Sequence, residues 1–375
     1  MKKKKTKIYS GIGGQAVLEG VMMRNGDKYA VAVRKPDNTI EVETNHYKGS
    51  EFGGKLRKIP FVRGIFVFVD SLVLGSRALN FSASLYGEDE EEQPGKAEKF
   101  IDKITGGHAE KFVEVVTMVV SFAIAIAIFM VLPYFLADLL AVYVRNESLL
   151  SLFEGIIRIL IFIAYIFLIS RMDDIKRLFM YHGAEHKCIN CIEHGHVLTT
   201  RNVKRSSRFH KRCGSSFILF VMLVSIVLFF FIRVNSIPLR LVIRLLLIPV
   251  ISGISYELIY LAGRSEFILL RIISTPGLWM QGLTTKEPDE SMIEVGIKSV
   301  EEVFDWKNYL KENFGYDDEY IEHEIKRDMG EDDLVDDDDL DNVSFDTNKD
   351  SEEASASEAK DDAAADVIED TPANE

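Results

Sequence analysis

The sequence predicts a mainly α, polytopic membrane helix bundle of about four spans, with a small N-terminal β-rich cytoplasmic domain and a disordered acidic C-terminal tail. Three observations carry this. Four apolar runs crowd into the middle of a 375-residue chain that is 47% hydrophobic. Short, partly alternating stretches broken by turn signals fill residues 1–58. The net charge of −14 is concentrated at one end: residues 331–375 hold 19 acidic and 2 basic side chains, so the tail carries −17 and the remainder about +3. A body this mildly basic has no dedicated nucleic-acid surface.

The chain opens on "MKKKKTKIYS", basic but followed by no apolar core, so no signal peptide is expected and residues 1–58 should stay in the cytoplasm. "QAVLEGVMMR", "KYAVAVR" and "TIEVETN" read as strands of an antiparallel meander, because Asn25-Gly26-Asp27 and Lys35-Pro36-Asp37-Asn38 between them are strong turn signals. "GIGGQAVLEG" does not match G-x-x-x-x-G-K-[ST], and its glycines are expected to allow close backbone approach at a strand start. His46 is expected at an exposed strand end.

Residues 59–110 contain "PFVRGIFVFVDSLVLGSRALNFSASLY", in which Arg63, Asp70, Arg77 and Ser84 recur every seven positions. On a helix they make one narrow polar stripe, which suits an interfacial helix or one packed on the bundle. The membrane domain is assigned to residues 111–284. Its spans are expected near Phe112–Leu136, Phe153–Ile169, Ser216–Ile232 and Leu239–Ala262, each close to the 20 or so residues that cross a hydrocarbon core. Ten Lys and Arg lie between Arg171 and Arg212, against one or two in each short connection. The loop 171–213 should therefore face the cytoplasm, as should both termini. Arg158 and Glu257 fall inside spans, where charges are functional or mutually paired, unless Arg158 snorkels and Glu257 lies at the inner interface. "EFILLRIISTPGLWMQGL" reads as a second interfacial segment anchored by Trp279. Residues 285–316 are amphipathic, and 317–375 are low-complexity acidic chain expected to be disordered and open to protein partners.

The chemistry gathers in the loop. Five of the eight histidines and all three cysteines lie within 171–213, and an odd number of cysteines in a reducing compartment favours metal ligation over disulfides. Two wirings fit. In the first, His182, Glu185 and His186 form H-x-x-E-H. On a helix these share one face, so both imidazoles can hold one ion with Glu185 beside it as general base, the inverted-zincin arrangement. Glu193, His210 and Cys213 are the candidate third ligands, and Gly183 inside the motif lowers helix propensity. In the second, Cys188-x2-Cys191 and His210-x2-Cys213 close a four-ligand structural zinc site. His194 and His196 are expected in an exposed turn, and Arg205, Arg208, Lys211 and Arg212 as contacts to anionic lipid.

"GGQAVLEGVMMR" (13–24), "YHGAEHK" (181–187) and "HKRCGSSF" (210–217), in this order, resemble the YqhQ-like family of bacterial membrane proteins over roughly residues 10–284. The resemblance implies a multi-pass protein of the bacterial cell membrane and a predicted metal-dependent enzyme. It also implies that His182, Glu185, His186, His210, Arg212 and Cys213 carry over, whereas Cys188 stands at a position that is often not cysteine. The metal set expected on this basis is His182, His186, His210 and Cys213 around a divalent ion. Imidazole plus thiol points to zinc rather than magnesium. The function expected is a hydrolase at the cytoplasmic membrane face with Glu185 as its base. The alternative is a non-catalytic scaffold with a structural zinc, and a transporter relying on Arg158 and Glu257 ranks last.

Overall fold

The computed structural model describes residues 7–49, 54–86, 109–232, 236–262 and 268–330. Strands β1 (Ile12–Val17), β2 (Gly20–Asn25), β3 (Lys28–Arg34) and β4 (Ile40–His46) form one antiparallel sheet in the order β1-β2-β3-β4. Asn25 pairs with Lys28, so Gly26-Asp27 is a two-residue hairpin loop, and Gly26 takes a positive φ of 63° there. "QAVLEGVMMR", expected as a single strand, is instead broken at Leu18-Glu19, where Glu19 has φ 48°. This unfavourable backbone is held from outside: the Glu19 carboxylate accepts from Arg177 and from the Tyr181 hydroxyl. His46 ends β4 with its side chain 64% exposed.

Period-2 alternation gives the sheet two apolar faces. Ile12, Val21, Met23, Ala30 and Ala32 pack into a core with the helices α5 (Asp173–Glu193) and α10 (Glu290–Val303). Val17, Met22, Tyr29, Val31 and Val33 pack on Leu74 and Ala78 of α1 (Val62–Ser84). The sheet is thus a layer between α1 and the helix that carries H-x-x-E-H.

Among the described residues, four helices are long and apolar enough to cross a membrane: Val119–Val142, Glu147–Ile169, Gly214–Phe231 and Val242–Ala262. The first is composite, made of α2 (Ala109–Ile126), a π-helical turn (Ala127–Val131) and α3 (Leu132–Asp138) with a 3₁₀ end. The others are α4 (Glu147–Ile169), α7 (Gly214–Phe231) and the end of α8 (Ile237–Ala262). Asn146 caps α4 by accepting from Ser148 and Leu149 N–H, so this helix begins six residues before the apolar run. Leu160, Leu168, Val227 and Leu246 are more than half exposed, as suits faces turned to lipid.

The spans hold more charge than expected. Glu154 and Arg244 lie within them as well as Arg158 and Glu257, and all are paired. Arg158 and Arg244 both bind the Glu154 carboxylate, Arg158 also donates to the Phe129 carbonyl in the π-helical turn, and Glu257 takes a two-point bond from Arg63 of α1. Arg158 is 7% exposed and does not snorkel. Of the polar stripe on α1, Asp70 is buried against Arg57 and Tyr47, and the Arg77 guanidinium lies 5.4 Å from the Tyr47 ring centroid. The helix therefore packs on the bundle and the sheet.

The segment around Trp279 is helix α9 (Ile268–Thr284), with Trp279 56% exposed and Met280 and Gln281 buried. Beyond α10 come α11 (Trp306–Phe314) and α12 (Asp318–Asp328). The disorder expected from residue 317 is thus corrected for 317–330: Asp317 caps α12 and Ile321 is 1% exposed in the main core. The acidic run from 331 lies outside the described residues.

Candidate metal centre

Helix α5 is the axis of the site. Asp173 and Asp174 occupy its first turn, where the helix dipole favours negative charge. It continues unbroken to Glu193, and all of 183–193 is buried. Gly183 costs helix propensity but is required by packing: a Cβ there would fall well inside contact distance of the Lys286 carbonyl oxygen. The expected sharing of a face by His182, Glu185 and His186 holds, with the two imidazole centroids 4.4 Å apart.

A second set of α5 side chains fastens the following loop by its backbone. Lys187 Nζ donates to the carbonyls of Lys204 and Ser206, and Asn190 Nδ2 donates to those of Ser207 and Phe209. His186 Nδ1 lies 2.5 Å from the carbonyl of Arg208 between them. Gln281 of α9 then takes both backbone groups of His210. Pinned this way, the chain delivers Cys213 to the start of α7, which it caps by accepting from the Ser215 N–H.

His182, His186 and Cys213 form a group whose ligand atoms lie within 4.8 Å of one another. His182 Nε2 is 3.2 Å from Cys213 Sγ, and His182 Nδ1 is 2.9 Å from the Thr284 carbonyl. A carbonyl only accepts, so Nδ1 of each histidine carries a proton, and Nε2 is the nitrogen left over: a donor to the Cys213 thiolate while the ring is charged, a free lone pair once that proton leaves. Backbone carbonyls on the far nitrogen are the usual outer partners of metal-bound histidines. Tetrahedral zinc with these donors sets ligand atoms about 3.5 Å apart, so the group fits such an ion with small adjustments. Glu185 stands alongside, its Oε2 3.9 Å from His182 Nε2.

Burial alone would push the Cys213 thiol up, but the imidazoles of His182 and His186 outweigh it and hold the thiol well below its usual range. Burial likewise disfavours charge on His182, yet Cys213 and Glu185 raise it to about 9. The start of α7 adds its positive dipole end beside the sulfur. Glu185 is raised by burial. It packs on β1: a Cβ on Gly14 would lie 2.9 Å from Glu185 Cγ and 2.6 Å from the Met22 carbonyl, so the glycine run does serve close approach.

The four-ligand cysteine wiring is not formed. Cys188 and Cys191 point from the opposite side of α5 into the core, where Cys191 Sγ faces the carbonyls of His196 and Val197. Burial raises both thiols, Cys191 to about 12. His210, expected as a ligand, stands outside the group of three and turns Nε2 to Glu193 at 3.6 Å. Glu193, 1% exposed, instead ties down the N-terminal segment through Ser10 N and Oγ and binds Arg212. His194 and His196 are half-buried rather than exposed. Arg208 donates to the Thr285 carbonyl, and Arg212 stacks 4.0 Å from the Tyr9 ring centroid, so both are held by protein. The roles of Lys187, Asn190 and Gln281 escaped the sequence reading. Lys187 at least is signalled by its place in "YHGAEHK".

A sequence family described as "Protein of unknown function (DUF1385)" matches residues 59–306. The chain is also 37% identical over 301 residues to the "Uncharacterized protein YqhQ" of Bacillus subtilis (strain 168), an alignment covering 80% of this chain and 94% of that one. No solved structure matches.

Proposed function

The chain belongs to the DUF1385 family, and we propose that it is a membrane metal-dependent hydrolase whose centre is built by His182, His186 and Cys213 with Glu185 as general base. One observation carries this reading. Both histidines commit Nδ1–H to backbone carbonyls, which leaves Nε2 of each for a metal, and the two imidazoles and Cys213 Sγ bring ligand atoms within 4.8 Å of one another beside a buried carboxylate. Two imidazoles and a thiolate select zinc over magnesium. A zinc ion held there supplies a polarised water and electrostatic stabilisation for attack on an ester, amide or phosphoester. The chain's own parts are the three ligands, the Thr284 and Arg208 carbonyls that orient the rings, and Glu185, placed to hold the proton.

The excess of Lys and Arg in the loop supports a centre at the cytoplasmic face of a bacterial cell membrane, with both termini on that side. The acidic tail is then available to protein partners. Elemental analysis of detergent-purified protein tests the centre. Wild type and Cys188→Ala should carry about one zinc per chain, and His186→Ala and Cys213→Ser should lose it. Unchanged zinc in His186→Ala, or none in wild type, overturns the reading.

One observation favours a purely structural zinc instead. The group is closed, with His186 1% and Cys213 5% exposed and only the His182 side chain reaching 17%. Under that reading Glu185→Gln is silent in cells.

A further inference from the structure

Helix α1 is built inside out for a helix in water. Its buried positions are Gly64, Asp70, Leu74, Gly75, Ala78 and Ser82, mostly small or polar. Val69, Leu72, Val73 and Leu79, all apolar, are between 38% and 58% exposed. Immediately upstream, Leu56, Ile59 and Phe61 are about half exposed as well. A surface helix normally turns its apolar stripe inward. Here the ion pairs Arg63–Glu257 and Arg57–Asp70 lie on the protein side and the large aliphatic side chains point away. That distribution suits a helix with lipid as its outer neighbour.

The placement of α1 agrees. Its N-terminal turn is fastened to the last third of a span: Phe61 N–H and Arg63 bind Glu257 of α8, and a Cβ on Gly64 would lie 2.6 Å from Tyr256 Cβ. Phe68 meets Phe217 in the first turn of α7, with ring centroids 5.7 Å apart. The end of α8 and the start of α7 lie on the same side of the bundle because consecutive spans alternate in direction. Further along, Leu74 and Ala78 lie under the sheet, and the Tyr86 hydroxyl donates to the Arg34 carbonyl. A helix of 23 residues is about 35 Å long and could cross a bilayer, but its second half is packed on an extramembrane sheet.

We propose that the outward side of α1 is a bilayer-contact surface. The helix lies in the interfacial layer on the loop-bearing side of the membrane, wedged between the sheet and the lipid, with Val69, Leu72, Val73 and Leu79 in the acyl-chain boundary. The occupant is lipid rather than a second copy of the chain because the surface is continuous, through Phe61 and Phe68, with the lipid-facing helices α7 and α8. Since α1 also flanks the first turn of α7, it fixes the depth of Cys213 at the headgroup level. This surface does not depend on a metal at that centre.

The test uses the full chain in phosphatidylethanolamine–phosphatidylglycerol vesicles carrying a photoactivatable acyl chain, with labelled residues mapped by mass spectrometry. Label is expected on Leu72, Val73 and Leu79, as on Leu160 of α4, and absent from Leu74 and Ala78. In Leu72→Glu/Val73→Glu, label on α1 should fall several-fold while that on Leu160 stays. Label on Leu160 with none on α1 overturns the proposal, and so does cross-linking of α1 to a second copy in place of lipid. Zinc content, measured on the same samples, reports separately on the metal centre.

Discussion

His182 Nε2 stands 3.2 Å from Cys213 Sγ, joining two segments 31 positions apart in the chain. The contact exists because the backbone between them is hung on Lys187, Asn190 and His186 of α5. An ion held by this pair and His186 binds only the folded protein, so it must stabilise it by mass action. Zinc at about 100 times its Kd should add about 2.7 kcal/mol. Thermal unfolding in detergent is expected to shift upward with zinc in wild type and not in Cys213→Ser. Equal shifts in both would place the ion elsewhere.

Gly183 and Gly282 separate packing from propensity. A Cβ at 183 meets the Lys286 carbonyl, whereas one at 282 meets nothing within 4 Å. Gly183→Ala is expected to lose about 1–3 kcal/mol, as overpacked sites do, and to lower zinc content because the Thr284 carbonyl that orients His182 moves with Lys286. Gly282→Ala, inside α9, should gain about 0.5–1 kcal/mol from helix propensity. Unfolding midpoints of the two variants decide the matter.

The contrast also marks what was legible in the sequence. The spans could be read because hydropathy is a property of consecutive residues, and the His182–Glu185–His186 face because helical spacing is local. The choice between His210 and Cys213 could not be read: both sit at the end of the same loop, and which one faces the histidines depends on Gln281 fixing His210 by its backbone. "CINC" misled because spacing says nothing about which side of α5 is core. Glu154 and Arg244 were lost inside apolar averages. Asp317 and Ile321 were submerged in the acidic composition that follows them, although together they cap and anchor α12.

Glu154 holds Arg158 and Arg244 together, and its side chain is 5% exposed. Removing its charge leaves two guanidiniums facing each other away from water. Breaking a buried pair typically costs about 3–5 kcal/mol, so Glu154→Gln should be among the most destabilising single changes in the bundle. Replacing all three residues with apolar ones should restore much of the loss, since the desolvation cost disappears with the charges. Expression level and unfolding midpoint in detergent read both effects. A near-neutral Glu154→Gln would show that the triad is not what holds α4 to α8.

Glu193 sets an acid limit on the N-terminal segment. Burial pushes its carboxyl up, but the hydrogen bond from His210 and the charges of Arg212 and Lys7 outweigh burial and hold it well below the usual carboxylate range. A depressed folded-state pKa stabilises the protein above the ordinary value near 4.5, and that stability is lost as pH falls below it. Residues 7–10 should therefore come loose in acid before the sheet does. The protection factor at Ser10, whose N–H the Glu193 carboxylate holds, should fall below about pH 4.5 in wild type, and in Glu193→Gln it should be low at neutral pH. Slow exchange at Ser10 in that variant would show that the Tyr309 hydroxyl on the Ile8 carbonyl and the Ile8 N–H on the backbone carbonyl of residue 193 suffice as anchors.

Glu185 decides between a working centre and a staple. Its carboxylate is beside the three ligands but outside the group they form, and its side chain is packed against Gly14, where a glutamine of the same length still fits. Glu185→Gln should therefore retain zinc and the wild-type unfolding midpoint. As a general base it contributes about 100-fold or more to turnover, so the variant should fail to complement a strain lacking the gene. Glu185→Asp withdraws the carboxylate by one methylene and should complement weakly, because the proton acceptor survives at the wrong distance. A structural zinc gives the opposite pattern: Glu185→Gln complements fully, while Cys213→Ser, which breaks the junction between α5 and α7, does not. The pair of variants assigns the centre before any substrate is known, since both readouts are metal content and growth.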